Sequence, residues 1–104
     1  MKFRKRTHTC GDLRESNIGE RVVLNGWVAI RRDLGGVIFI EMRDRYGITQ
    51  VVFEPSFNEE AHEHAKKLRT EFVISVEGTV RKRPEGTENP LLPTGIIDVM
   101  LTNL

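Results

Sequence analysis

GWVAIRRDLGGVIFIEMRDRYGITQVVF, residues 26–53, holds two runs of alternating apolar residues joined by a basic turn with two glycines, then a third run beyond a polar turn. Alternate residues of a strand share a face. Within Val37–Arg43 this sets Ile38, Ile40 and Met42 on one side and Phe39, Glu41 and Arg43 on the other. The first set has the composition of a core. The second is charged, with a large ring at its centre. A ring beside an arginine on an outward strand face fits a stacking platform for an unpaired base, because every base has a π-face and a guanidinium can hold the neighbouring phosphate. Alternation alone is equally served by a ring that covers the outer side of the sheet beneath a loop.

Upstream, Arg21–Arg32 alternates as one long strand, with Val22, Leu24, Gly26, Val28 and Ile30 on one face and Val23, Asn25, Trp27, Ala29 and Arg31 on the other. Asn25-Gly26 ordinarily marks a hairpin, but a turn there leaves too short a fragment before it. The pair therefore predicts a bulge or bend that curls the strand. The turn 31–36 carries Arg31 and Arg32 outward at its tip, with Gly35 and Gly36 supplying unusual backbone angles. Ile48–Phe53 predicts a third strand antiparallel to the second, which brings Gln50 beside Phe39.

Downstream, Ser56 and Glu59 read as a capping box opening a short amphipathic helix that runs to Arg69 and buries Ala61, Ala65 and Leu68. His62 and His64, two apart, point in different directions and read as surface histidines rather than metal ligands. From Phe72 the period returns to two, with Phe72, Ile74, Val76, Gly78 and Val80 on one face and Val73, Ser75, Glu77, Thr79, Arg81 and Arg83 on the other. Residues 84–95, PEGTENPLLPTG, contain three of the four prolines and predict a rigid, extended loop. A fifth strand, 96–104, turns Ile97, Val99 and Leu101 inward and Asp98 the other way. At the front, Asp12 with Glu15 predicts the cap of one helical turn stopped by Gly19, and residues 1–9 read as a basic extended arm preceding a domain at 10–104.

With 104 residues there is room for one modest core. A hydrophobic fraction of 38% beside 30% charged residues fits a folded globular chain and excludes a disordered one. The net charge of +1 hides local asymmetry, since arginines pair at Arg31/Arg32, Arg43/Arg45 and Arg81/Arg83 while acids gather between Glu54 and Glu63. The single cysteine, Cys10, excludes an internal disulfide framework and a cysteine-based zinc site. The charged start, MKFRKRTHT, has no apolar run after it and no stretch approaches membrane-spanning length, so a cytoplasmic chain without a membrane partner is expected.

Three strands, a helix and two strands, with a curled first strand, match an all-β fold with one helix: the five-stranded OB barrel, with its helix between strands 3 and 4. That fold binds oligonucleotides or oligosaccharides on the face of strands 2 and 3 and on the loops joining strands 1–2 and 4–5. Here those places hold Phe39, Gln50, the Arg31-Arg32 pair and the segment 81–95.

The wording is also that of a known family. GWVAIRRDLGGVIFIEMRDRYGITQVVFEP (26–55) and EFVISVEGTVRKRPEGTENPLLPTGIIDV (71–99) resemble the N-terminal anticodon-binding domain of bacterial-type aspartyl-tRNA synthetases, over nearly the whole chain from Thr9 onward. The resemblance implies binding of the aspartate tRNA anticodon loop with its three bases splayed on the barrel. It implies that Phe39 stacks the middle uracil and Gln50 reads its edge, while Arg31 and Arg32 meet the anticodon and its backbone. Arg81 and Arg83 fall at basic contacts, Asn89 further along that loop, and Asp98 where an acidic residue faces the first anticodon base. The chain departs from the family in two places: Ile30 stands where a third arginine is usual, and Asp98 where a glutamate is. The full enzymes so implied use ATP and Mg in a separate, larger domain and form homodimers, whereas these residues contain no catalytic motif and call for no cofactor. Two other readings stay open, a sequence-tolerant single-strand binder and a protein-interaction barrel using a strand edge.

Overall fold

The computed structural model describes residues 5–56 and 59–103. Its strands are β1 (Arg21–Leu34), β2 (Val37–Asp44), β3 (Gly47–Phe53), β4 (Val73–Lys82) and β5 (Ile97–Asn103), and the helix α1 (Glu59–Ala65) falls between β3 and β4. The strands close into a barrel in the order β1-β2-β3-β5-β4. All neighbours run antiparallel except β3 and β5. This is the OB barrel that the alternation predicts.

Closure depends on β1. Its residues 21–27 pair with β4 and residues 27–34 with β2, so one strand of 14 residues serves two neighbours in turn. Gly26 sits at the hand-over, where an added Cβ would lie 2.3 Å from the Arg43 carbonyl oxygen, a distance only glycine tolerates. The pairing with β4 runs unbroken through Asn25 and Gly26, so this pair carries no bulge. The register slips instead between Val28 and Ile30, against β2. One extra residue reverses the alternation beyond it. Ile30, expected on the face of Val28, is 39% exposed, while Arg31 comes opposite the core residue Ile40 and Arg32 opposite Phe39. Arg31 consequently lies half-buried, its Nε enclosed without a hydrogen-bond partner among the described residues, and does not reach outward at the tip. Gly35 and Gly36, with φ of 60° and 88°, close the two-residue turn into β2.

The inward set is Val22, Leu24 and Val28 from β1, Ile38, Ile40 and Met42 from β2, Val51 and Phe53 from β3, Ile74, Val76 and Val80 from β4, and Ile97, Val99 and Leu101 from β5. Phe72, expected on the strand face of Ile74, precedes β4. Its carbonyl accepts from Val28 N at 2.8 Å and its side chain is left largely in solvent.

Each end of the barrel is stoppered. At the end of the β1–β2 turn, Ala61 and Ala65 of α1 are buried with Leu68, which is reached by tightened turns after the helix stops at Ala65, short of the expected Arg69. His62 is buried too, because its Nε2 donates to the Gly36 carbonyl; only His64 stays on the surface. Ser56 Oγ donates to Glu54, and the residues linking it to Glu59 lie outside the described residues, as does the expected capping box.

At the opposite end, Asp44 holds the chain together through its carboxylate. Oδ2 accepts from Cys10 N at 2.8 Å, and Oδ1 from Tyr46 N at 2.8 Å and Gly47 N at 3.1 Å. Thr49 Oγ1 donates to the Cys10 carbonyl at 2.6 Å. The two backbones touch: a Cβ on Gly11 would meet the Tyr46 oxygen at 2.3 Å, and one on Gly47 would meet Gly11 Cα at 2.6 Å. Burial, then the neighbouring Asp44, pushes the Cys10 thiol far up from its ordinary value, so it stays protonated and inert. Asp12 caps no helix. Its Oδ2 accepts from Thr9 N at 2.8 Å, and the short 3-10 turn is Glu15–Asn17, where Asn17 Oδ1 accepts from Arg14 N. Thr7 N donates to Val23 O at 2.9 Å, which lays the end of the basic arm along β1. Among the described residues no helix is long and apolar enough to cross a membrane.

Replacing Asp44 strands three backbone donors at once. Asp44→Ala is expected to cost about 2–3 kcal/mol in urea unfolding, in the range for a hydrogen-bonded charged group, and to speed labelling of Cys10 by a thiol reagent. Unchanged stability with a still-protected thiol would show that this tie is dispensable.

Candidate nucleic-acid interface

The bulge in β1 builds the outer face. Once the β1 alternation reverses, Arg32 comes opposite Phe39, while the unbroken β2–β3 register sets Phe39 opposite Val52 and Glu41 opposite Gln50. Phe39 and Gln50 are then diagonal neighbours on one surface, the separation at which a long side chain and a ring can act together. Phe39 is half-buried while its β3 partner Val52 is covered. Arg32 rests on Glu41 at 3.5 Å with its side chain 57% exposed. An exposed pair of this kind is worth at most about 1 kcal/mol, so Arg32 can leave Glu41 at little cost for a ligand of greater negative charge.

A second cluster fixes Gln50 from the β4–β5 side. Arg81 and Asp98 are cross-strand partners, and Arg81 grips the carboxylate with Nε at 2.7 Å and Nη2 at 3.3 Å. Arg83 Nη1 donates to Gln50 Oε1 at 3.3 Å while its Nε donates to the Ile97 carbonyl at 2.8 Å. Burial pushes the Asp98 carboxyl up from its ordinary value, against Arg81, Arg83 and the Gln50 amide, which favour the charged form. Burial likewise lowers the Arg83 guanidinium, against Asp98 and Glu41. Both residues are enclosed, Asp98 completely and Arg83 at 6% exposure. The sequence expectation that Arg83 shares a face with Arg81 fails because β4 ends at Lys82 and strand alternation stops there.

Residues 84–95 are not extended but fold on themselves. Thr87 N donates to Pro84 O, Asn89 N to Gly95 O, Leu92 N to Asn89 O and Gly95 N to Leu92 O. Asn89 governs the closure: its Oδ1 accepts from Leu91 N at 3.0 Å, and a Cβ on Gly95 would overlap its carbonyl at 1.7 Å. Thr94 Oγ1 donates to the Ile48 carbonyl, tying the loop to β3.

The structure thus brings Arg32, Phe39 and Gln50 to one surface, with Arg81 at its edge and Arg83 and Asp98 packed behind Gln50. Arg31 sits on the opposite parity and Asn89 at the base of the loop. Sequence reasoning missed Glu41 as the resting partner of Arg32, although Glu41 already shared the Phe39 face. It also missed Thr94, for which no local pattern exists. Among the described residues no cluster of histidine, cysteine and carboxylate side chains is arranged to hold a metal ion.

Comparison with known proteins agrees with this geometry. The family model described as an OB-fold nucleic acid binding domain matches residues 22–99. The chain is 61% identical over 99 residues to the aspartate–tRNA(Asp/Asn) ligase of Salinibacter ruber, covering 95% of this chain and 16% of that protein. It is 61% identical over 94 residues to the ligase of the same name from a Geobacillus species, covering 90% and 16%. The chain therefore spans about 16% of the length of these relatives. Among solved structures, asparaginyl-tRNA synthetase from Pyrococcus horikoshii, complexed with asparaginyl-adenylate, superposes with a TM-score of 0.74 at 33% identity, over 90% of this chain and 20% of that one. From strand order, outer face and family match together, the chain belongs to the OB-fold nucleic acid binding domain family.

Proposed function

We propose that this barrel is the anticodon-binding module of a cytoplasmic aspartyl-tRNA synthetase and seats the anticodon loop of aspartate tRNA across β1, β2 and β3. The observation that carries the reading is the shared register of Arg32, Phe39 and Gln50 on one outward strip. Phe39 stacks the middle uracil, the Gln50 amide reads that base's edge, and Arg32 exchanges Glu41 for the strand. Arg81 and the loop carrying Asn89 lie toward the first anticodon base. Asp98 acts there through Arg81 and does not itself reach the base, because its carboxylate is fully enclosed. Arg83 positions Gln50, and Arg31 supports the turn. Asparagine tRNA, which the relatives' name includes, shares the middle uracil, so this part of the strip treats both tRNAs alike. In such an enzyme, ATP- and magnesium-dependent aspartylation and the homodimer contact fall outside the barrel, and the barrel alone binds weakly for want of the second grip.

Titration with an aspartate anticodon stem-loop tests the reading. The matched loop should bind better than one with a changed middle base and better than a poly-pyrimidine strand. Phe39→Ala should cost about 1–3 kcal/mol of affinity, the range for one stacked base, with little change in thermal stability. Ile40→Ala, on the opposite parity, should cost about 2–5 kcal/mol of stability. A destabilised Phe39→Ala with intact affinity would place the ring in a packing role and sink the platform.

Arg83→Lys keeps the charge but loses the fork that holds Gln50 and Ile97. It should lower discrimination at the middle base by about 1 kcal/mol, the net worth of one hydrogen bond, with the salt dependence of binding unchanged. A flatter salt slope would mean that Arg83 itself meets a phosphate.

A further inference from the structure

Beyond the strip lies a cleft of about 460 Å³ at the β2–β3 turn, lined by Arg14, Arg43, Arg45 and Tyr46, floored by Ile48 and walled by residues 92–94 of the β4–β5 loop. It continues the outer face. Arg43 follows Phe39 and Glu41 at alternate positions of β2, roughly 14 Å from Phe39 along the strand, and stands opposite Ile48 on β3. The wall is fixed to the floor by the Thr94 bond to the Ile48 carbonyl.

The charges of this cleft are unmatched. Its one carboxylate, Asp44, is occupied by the backbone N–H groups of Cys10, Tyr46 and Gly47. Arg14 donates from Nη1 to the carbonyls of Gly11 and Leu13, and its nearest carboxylate influence is the field of Asp12 rather than a close ion pair. Arg45 stands 5.6 Å from the centre of the Tyr46 ring, and Arg6 5.3 Å from it, so the ring gathers cations at this end. The Arg43 side chain has neither a hydrogen bond nor an ion pair among the described residues. Three guanidiniums against the single carboxylate of Asp44 leave the groove with a net positive charge, which suits a ligand that brings its own negative charge. Single-strand sites on this fold run to about 4–16 nucleotides, longer than one ring and one amide can seat.

We propose that this cleft receives a phosphodiester of the RNA strand where it runs past the splayed bases toward the β2–β3 turn. The inference rests on reading the Phe39 strip as an RNA platform. Arg43 and Arg45 pair the phosphate, Arg14 supplies field from the N-terminal turn, and the Ile48 floor takes the apolar side of the sugar.

The test is a stem-loop series in which one backbone linkage at a time is a neutral methylphosphonate, titrated against the wild-type chain and an Arg43→Gln/Arg45→Gln double variant, with folding checked by thermal unfolding. One linkage outside the anticodon triplet should, when neutralised, weaken wild-type binding by roughly three- to tenfold and lower the salt slope by about 0.7, the value for one phosphate of a single strand. The double variant should show that loss already and lose nothing more at that linkage. Additive losses at every linkage, or an unchanged salt slope in the double variant, overturn the proposal. If inorganic phosphate alone shifts the arginine NMR signals of the cleft while the RNA slope is unaffected, the cleft is a small-anion site and the strand does not enter it. Phe39→Ala separates the two levels of inference. RNA binding that depends on Phe39 but not on Arg43 and Arg45 removes the cleft alone, whereas no Phe39-dependent binding removes the platform beneath it.

Discussion

Backbone hydrogen-bonding groups cannot be left unpaired within a sheet, and in this barrel that requirement falls chiefly on β1. It gives its first half to β4 and its second half to β2, and it changes partner at Gly26, where the Arg43 carbonyl leaves no room for a side chain. The bulge that follows is what allows one strand to follow both neighbours while the barrel curls. The β1 residues beyond that slip take their phase from it, including the pairing of Arg32 with Phe39.

Much of this was legible in the residues. Period-two alternation in β2 and β3 placed Ile38, Ile40 and Met42 inward and set Phe39 with Gln50 outward, and the Gly35-Gly36 pair marked the hairpin between β1 and β2. The position of the bulge was not legible. Asn25-Gly26 carries the louder turn signal, whereas Ala29, where the slip occurs, carries none, and a slip of one residue reverses every side chain after it. Arg31 and Ile30 were misplaced for that single reason. His62 was misread because its partner is a backbone carbonyl 26 residues away, a contact with no local signature. Arg83 lies one residue past the end of β4, where alternation no longer says which way a side chain turns.

The arginines of this surface fall into two energetic kinds. Arg32 sits on an exposed carboxylate in water, where the pairing is weak and screened by salt. Arg81 closes over a fully buried carboxylate while part of its own side chain stays in solvent, and without it Asp98 would be left to Arg83 and Gln50 alone. The first kind is free to change partners on binding. The second is part of the framework, and it holds Gln50 through Arg83 in a fixed attitude before any ligand arrives. Rigid support beneath an adaptable cation is an economical way to combine selectivity with a charged ligand, since an amide ordered in advance loses little entropy on contact.

Alternation in β2 and β3 also separates two kinds of inheritance. Residues that keep the barrel folded and residues that face outward occupy opposite parities, so a lineage can rewrite the outward strip by single substitutions without reopening the core. Positions 83 and 98 are the exception, for there the enclosed charges belong to both sets at once. A change there has to keep the enclosed charges matched: one carboxylate can replace another, as Asp98 stands where a glutamate is usual, but a change of charge would have to arrive with a compensating substitution.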